Sequence, residues 1–361
     1  MSSIIKLRKV ELSNYWDFDG KYTIQFKLNR ERNITFITYQ CLTGADSLFK
    51  GMRWGLTGSG EGKYCTLESG RRKEAMFSNY PEAHKPEKVK AYLHFEKNGE
   101  TLRIGRTAKP VDPKKISFPI IKNHKISVDK KLKGKRSSLK DPETYFEQHF
   151  NPDAMELFNI DTYLIWSFRK KGARRNHVKT ALRFIEPGSR RWNKQLVDRF
   201  TEGINKHFRR LQDGDGDCPT VVIGKGYEIG FSIKDEIKSY DSVIREHQYG
   251  LIFSFLTAFW EMTWIDQPTI LFDPFFNLDD RYMLKVGKLI GEVSLRRQVI
   301  LFTKRDDIYP VIREHVSSIL GTYFVFGGKI GAGNYKYVQI ENIKNDSMKE
   351  VADKLKSDIN Y

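Results

Sequence analysis

Residues 33–57 read Asn-Ile-Thr-Phe-Ile-Thr-Tyr-Gln-Cys-Leu-Thr-Gly-Ala-Asp-Ser-Leu-Phe-Lys-Gly-Met-Arg-Trp-Gly-Leu-Thr. Positions 33–38 are apolar enough for one buried strand. Over 46–56 the spacing turns helical, with Leu48, Met52, Gly55 and Leu56 on one side. Strand, glycine loop and helix are the skeleton of a phosphate-binding loop. Such a loop wraps backbone N–H groups round the phosphates, places a Lys on the β/γ oxygens and holds Mg²⁺ with a Ser or Thr hydroxyl. In the best register Gly44 keeps its place, Ala45 stands at the Lys position and Asp46 at the Ser/Thr position. A carboxylate there faces the anion it should attract. Gly44 and Ser47 are what remains to meet a nucleotide, if one binds.

Outward from this stretch, residues 2–12 alternate with period two and 21–27 form a second strand. Residues 58–88 are rich in Gly, Lys and Pro and predict a loop or mobile insertion. Segments 89–96 and 100–106 flank Lys97-Asn98-Gly99, a hairpin signal. Residues 107–140 carry many lysines, among them Lys131, Lys133 and Lys135 with Arg136, and read as an exposed, partly disordered basic segment. A short helix is expected from Asp141-Pro142 to residue 150. A second basic block follows: Arg169, Lys170, Lys171, Arg174, Arg175, Lys179, Arg183, Arg190 and Arg191, interleaved with Trp166, Phe168, Phe184 and Trp192. That mixture suits phosphate contacts and base stacking, and equally suits a plain solvated surface.

The C-terminal part predicts a helix over 190–211, strands over 220–223 and 227–233, and a long helix over 242–262. A buried strand over 268–272, a helix over 277–293 and a buried strand over 298–303 come next. A helix over 306–316, a strand pair over 322–326 and 335–340, and a helix over 346–357 complete the chain. Strands alternating with helices imply a mainly parallel α/β core, with antiparallel N-terminal hairpins added.

With 361 residues, 39% of them hydrophobic, the chain can bury one large core or two lobes. It holds no apolar run of about 18 residues, so no membrane span or membrane partner is expected. The N-terminus does not read as a signal peptide. Cys41, Cys65 and Cys218 lack metal-ligand spacing and fit a reduced, cytoplasmic setting. The net charge of +17 draws polyanions by a sequence-blind term. Nucleic acid is the first candidate, an anionic partner protein the second, and plain solubility the third.

The order of elements resembles the ATP-binding-cassette heads of SMC-type proteins, nearest to the DndD/SbcC-like group. The resemblance touches residues 1–106 and 195–341. It implies an N-terminal ATPase-like lobe (1–106), a basic insertion in place of the long coiled coil (107–194) and a C-terminal ATPase-like lobe (195–361). Residues 268–279, Pro-Thr-Ile-Leu-Phe-Asp-Pro-Phe-Phe-Asn-Leu-Asp, match the family's Walker B and D-loop pattern best. In that register Phe272 replaces the Mg²⁺-organising Asp, and Asp273 replaces the Glu that polarises water. Pro274, Phe275, Leu278 and Asp279 are retained. A phenyl ring cannot coordinate a metal. At the signature motif Val243 lacks the hydroxyl and Arg245 fills the Gly position, while Glu246 and Gln248 fit. The switch-like strand over 298–303 is followed by Lys304 and no His.

Other phosphate- and metal-like signals are weaker. Residues 58–63, Gly-Ser-Gly-Glu-Gly-Lys, follow a helix instead of a strand. Asp213, Asp215 and Asp217 mimic a Ca²⁺ loop without its Gly and its bidentate Glu. The glycines over 327–333 sit between strands and open no helix. No metal site and no grouped carboxylates for a nuclease are expected.

The resemblance implies a catalytically degenerate SMC-like head, an α/β P-loop fold. It would bind DNA within a repair or phage-defence complex, as a homo- or heterodimer or beside an active ATPase or nuclease subunit. No cofactor is expected. Two alternatives stand beside it. One is an atypical ATPase that takes ATP and Mg²⁺, with Asp273 on the metal and Lys50 or Arg245 in place of the lost Lys. The other is a protein-interaction scaffold without nucleic acid.

Overall fold

A computed structural model describes residues 5–15, 18–26, 33–39, 42–57, 88–97, 99–108, 125–132, 135–138, 156–160, 164, 167–186, 192–212, 218–263, 267–275, 278–305, 308, 312, 320–330 and 334–341. The readings of a loop over 58–88, of helices over 141–150 and 346–357, and of most of the helix over 306–316 lie outside the described residues.

In chain order the strands of the first part are β1 (Ile5–Tyr15), β2 (Phe18–Gln25) and β3 (Ile34–Tyr39), followed by helix α1 (Leu42–Thr57). Strands β4 (Val89–Lys97), β5 (Glu100–Ala108), β6 (Lys125–Leu132), β7 (Lys135–Ser138) and the short β8 (Asn159–Ile160) follow. Two helices, α2 (Lys171–Ile185) and α3 (Lys194–Leu211), lead to β9 (Thr220–Ile223), β10 (Ile229–Ile233) and β11 (Glu236–Ser239). Then come α4 (Arg245–Met262), β12 (Thr269–Phe272), α5 (Asp280–Ser294), β13 (Val299–Thr303), β14 (Leu320–Ile330) and β15 (Asn334–Glu341).

The chain divides into two units. A sheet unit takes Ser3–Pro152, Ile300–Lys304 and Ser318–Tyr361. A helical unit takes Met1–Ser2, Asp153–Val299 and Arg305–Ser317. Residues 107–194 thus contribute to both units.

The sheet unit holds an antiparallel sheet in the order β2-β1-β4-β5-β6-β7. Ile5, Leu7, Val10 and Leu12 of β1 are all buried, although the step from Leu7 to Val10 breaks the alternation. A register shift between Leu7 and Lys9 absorbs the extra residue, as a β-bulge does. Of the basic segment expected to be exposed and partly disordered over 107–140, residues 125–132 and 135–138 are instead strands β6 and β7, while 109–124, 133–134 and 139–140 lie outside the described residues. β6 pairs with β5 from Thr101↔Lys131 to Thr107↔Lys125, and β7 closes the edge. A lysine-rich edge discourages pairing with other chains. In the unit's second sheet β14 runs parallel to β3 and antiparallel to β15, and β13 lies next to β3.

Helix α1 packs against both sheets. Leu48, Met52, Trp54 and Leu56 are buried. Trp54 stacks on Tyr15 at 5.6 Å, and Phe49 meets Phe302 of β13 edge-on at 6.0 Å. A Cβ on Gly51 would lie 2.7 Å from Leu12 Cδ2, and one on Gly55 would lie 2.3 Å from Leu93 Cδ1. The two glycines therefore let the helix backbone approach β1 and β4.

In the helical unit α4 is buried from Tyr249 to Trp260, apolar all round as a core helix must be. Trp260 donates its Nε1–H to Leu157 O at 2.8 Å, and Arg297 donates to Trp260 O at 2.6 Å. Helix α3 is amphipathic, with Val197, Phe200, Ile204, Phe208 and Leu211 buried. Asn193 caps it by accepting from Leu196 N. Asn205 ties α3 to β9 twice, donating to Val221 O at 2.9 Å and accepting from Val221 N at 2.7 Å. Strands β9, β10 and β11 form an antiparallel sheet, and β12 pairs with β8 in parallel. Among the described residues no helix is long and apolar enough to cross a membrane.

Gly55→Val places a branched side chain against Leu93 and Ala91 O. We expect it to cost about 2–3 kcal/mol, by overpacking, and urea unfolding followed by circular dichroism measures the loss.

Candidate functional site

Two sets of residues bear on function, the ATPase-like positions and the basic block, and each has members in both units. The first begins with the phosphate-loop-like turn of the sheet unit. Gly44, Ala45, Asp46 and Ser47 all fall inside the first turns of α1. Ala45 and Ser47 are buried. Asp46 forms an ion pair with Lys50 one helical turn later. Lys50, the candidate substitute for the lost phosphate-binding Lys, is thereby held by the carboxylate that displaced the hydroxyl.

The helical unit carries the Walker B-like and signature-like residues. Phe272 ends β12 and is only 8% exposed. Asp273 follows with φ of 47°, a left-handed conformation that Asp tolerates better than most residues. Pro274 and Phe275 are buried. Leu278 N donates to Phe275 O at 3.1 Å and closes a turn. Asp279 serves as the N-cap of α5, accepting from Tyr282 N at 2.8 Å. At the signature-like stretch Val243 and Ile244 precede α4, and Arg245 opens it as an exposed side chain. Gln248 donates back to Tyr240 O and Val243 O, fixing the entry to the helix.

The second set is the basic block, and much of it is α2, which the sequence did not announce as a helix. Arg169, Lys170 and Lys171 are exposed and crowd the N-terminal end of α2, whose first turn has no acidic residue. Cations at that end oppose the helix dipole. Lys171, Arg175, Lys179 and Arg183 recur every four residues, so each stands about 6 Å further along the axis, in a slowly winding stripe.

Arg174 departs from the expectation of a phosphate contact. It is 4% exposed, donates to Phe168 O at 2.6 Å and pairs through both terminal nitrogens with Asp241 at 3.0 and 3.2 Å. It also lies over the Tyr240 ring at 4.4 Å. This arginine pins α2 to the turn before α4. Lys131, Lys135 and Arg136 lie on β6 and β7, with Lys131 opposite Arg136. Lys133, Arg190 and Arg191 lie outside the described residues.

Next to Arg174, His177 stacks on Phe168 at 4.9 Å and shares a 2.7 Å hydrogen bond with Ser167 Oγ. Burial holds its pKa down to about 4. Ser167 Oγ also donates toward Leu164 O, and both side chains are enclosed, so the pair is part of the core. Among the described residues no three His, Cys, Asp or Glu side chains come together as a metal site would need.

Tyr227, expected to open a strand over 227–233, lies outside β10, which begins at Ile229. It lies in the turn between β9 and β10, preceded by Gly224 and Gly226, with φ of 63°. Tyr227 N donates to Gly224 O, and Gly224 N donates to Glu228 O, both at 2.9 Å. A left-handed residue closing such a turn is ordinarily Gly, and a bulky side chain there costs on the order of 1 kcal/mol. The Gly-Lys-Gly that precedes Tyr227 was the available signal. Trp192, just ahead of α3, meets the Tyr227 ring edge-on at 5.2 Å. Lys179 Nζ lies 5.4 Å from the Tyr227 ring centroid.

No protein-family model matches this chain, and no curated protein matches it. Solved structures do. An SMC head bound to the C-winged helix domain of ScpA is 14% identical, with a TM-score of 0.62 over 93% of this chain and 98% of that one. An SMC head with an extended coiled coil, bound to the C-terminal domain of ScpA derived from Pyrococcus furiosus, is 14% identical, with a TM-score of 0.58 over 99% and 100%. The SMC head domain from Thermotoga maritima is 15% identical, with a TM-score of 0.50 over 93% and 99%. At these identities the likeness is one of fold. The chain has the α/β fold of an SMC-type ABC ATPase head.

Because His177 is neutral when folded and titrates near 6.5 when unfolded, the unfolded state binds the extra proton between pH 6.5 and 4. Stability present above pH 6.5 is therefore lost as the pH falls toward 4, by up to about 3 kcal/mol. We expect His177→Gln to flatten the pH dependence of the urea midpoint in that window, measured between pH 7 and 4.5.

Proposed function

We propose that this chain is a nucleotide-silent head of the SMC fold that holds DNA on the exposed surface of α2, within a repair or phage-defence complex. The observation that carries the reading is a cation stripe on a helix that has no acidic residue of its own. Lys171, Arg175, Lys179 and Arg183 stand on a helix without an acidic residue, and Arg169 and Lys170 add to its positive end. Charge placed against the helix dipole has a cost that an anionic ligand would offset. Lysine and arginine contacts to phosphates supply most of the affinity of such binding and make it steeply salt-dependent.

Nucleotide silence rests on the residues at the phosphate and metal positions. Ala45 brings no charge, Asp46 and Lys50 satisfy each other, and Phe272 brings a buried ring. Arg245 is the remaining candidate cation, at the start of α4. Two solved heads of this fold are bound to domains of ScpA. By analogy, this chain works beside a partner subunit.

Two measurements test the reading. Arg169→Glu, Lys171→Glu and Arg183→Glu together should weaken binding of a 20-base-pair duplex at least tenfold in an anisotropy titration. If each of the three neutralises one phosphate, its loss lowers the slope of log affinity against log salt by about 2.7 in all. Arg174 is left intact because its loss would unpin the fold. Calorimetric titration with Mg-ATP should give no binding at millimolar nucleotide. Unchanged duplex affinity in the triple variant would remove α2 as the DNA surface, and ATP turnover would overturn the silent head.

A further inference from the structure

We infer that the Trp192–Tyr227 pair is a nucleobase-stacking platform, and that the strand α2 engages is single-stranded at this point. This deepens the DNA-holding reading above and rests on it. Three elements converge here. Lys179 comes from the cation stripe of α2, Trp192 from the approach to α3 and Tyr227 from the β9–β10 turn. Both aromatic residues are partly buried, each keeping some surface open to solvent. Their edge-on meeting at 5.2 Å and 65° leaves the flat faces of one ring uncovered by the other.

The backbone supplies the second, independent observation. Tyr227 occupies a left-handed position at φ 63° while two neighbouring places in the same turn are glycine. A turn built for its own stability would put glycine at 227. Strain of this sort, kept by a bulky side chain, marks a residue retained for what its ring does. The turn is firmly held, since Asn205 clamps β9 to α3 through both polar atoms of its amide.

The chemistry nearby fits a single strand. Proteins that bind unpaired strands combine a basic track for the backbone with aromatic rings on which bases stack. Lys179 Nζ lies over one face of the Tyr227 ring, and Arg175 and Arg183 stand one turn away on either side along the same stripe. The exposed Lys225 sits in the turn itself. The carboxylate of Glu228, the acid of the turn, is folded against Gly224 and Gly226, where a Cβ would lie 2.1 and 2.5 Å from it. A duplex hides its base faces within the stack, so it would use the cations alone.

The test uses the full chain and fluorescein-labelled dT12, rU12, a twelve-residue abasic strand and the 20-base-pair duplex. Wild type should prefer dT12 to the abasic strand of equal charge. Tyr227→Gly removes the ring and relaxes the positive φ, so its thermal midpoint should match or exceed wild type. It should lower dT12 affinity about 5- to 100-fold and leave duplex and abasic binding within twofold. Tyr227→Phe, which keeps the ring, should retain dT12 affinity, and Trp192→Ala should lose it in part. A ring-dependent preference for rU12 over dT12 would identify RNA as the strand engaged. Equal loss on dT12 and duplex, or no loss with either dT12 or rU12, would overturn the platform while leaving the basic surface standing. Failure of wild type to bind any of the four probes at low salt would overturn both.

Discussion

Gly51 and Gly55 let α1 settle onto β1 and β4, because neither carries a side chain that would meet Leu12 or Leu93. That approach fixes the rest of the sheet unit. With the helix backbone seated, Trp54 reaches Tyr15 on the antiparallel side, and Phe49 reaches Phe302 on the other. One helix thus supplies the filling between two sheets of different hydrogen-bonding pattern. Its N-terminal turns, where Gly44 to Ser47 lie, are positioned by packing at its middle and C-terminal end. A phosphate-loop scaffold can therefore persist whatever occupies its ligand positions, since the stability of α1 is set by residues that never touch a phosphate.

The apolar elements were readable from the sequence. Strands β12 and β13 are short hydrophobic runs buried along their whole length, and α4 is a long apolar helix that ends where expected and starts at Arg245, three residues later than expected. The elements that escaped were those whose buried faces are polar or whose strands are lysine-rich. Helix α2 turns Arg174, His177, Val178, Ala181 and Leu182 inward. That spacing is helical, but an arginine and a histidine stand at inward positions and hide it from any count of apolar residues. The ion pair with Asp241 and the stacking on Phe168 that make such burial tolerable come from elsewhere in the chain. β6 is similar: Ile126, Val128 and Leu132 alternate among lysines, and only pairing with β5 makes a strand of them.

The same distinction sorts the cations of the basic block. Their sequence spacing treats Arg174 and Arg175 alike. In the fold, Arg174 is enclosed by Phe168 O, Asp241 and the Tyr240 ring, while Arg169 and Lys171 face solvent. An arginine enclosed in this way, with both terminal nitrogens bound to protein oxygens, does not face a phosphate, so counting basic residues overstates the ligand surface. The aromatic residues sort likewise. Phe168 is core, whereas Trp192 is partly buried and paired with a tyrosine that lay outside the block altogether.

The parallel pairing of β3 with β14 joins Ile34 to Leu320. A ribosome extending the chain at ~5–20 residues per second needs roughly a quarter of a minute to a minute to bridge that gap. For most of that interval β3 has neither β13 nor β14 beside it, because β13 ends at Thr303, shortly before β14 begins, and its apolar residues and open edges wait for partners. Nearly all of the helical unit is meanwhile complete. The hazard this chain meets during biosynthesis is thus set by the order in which its segments emerge, and the strength of the finished fold does nothing to shorten the wait.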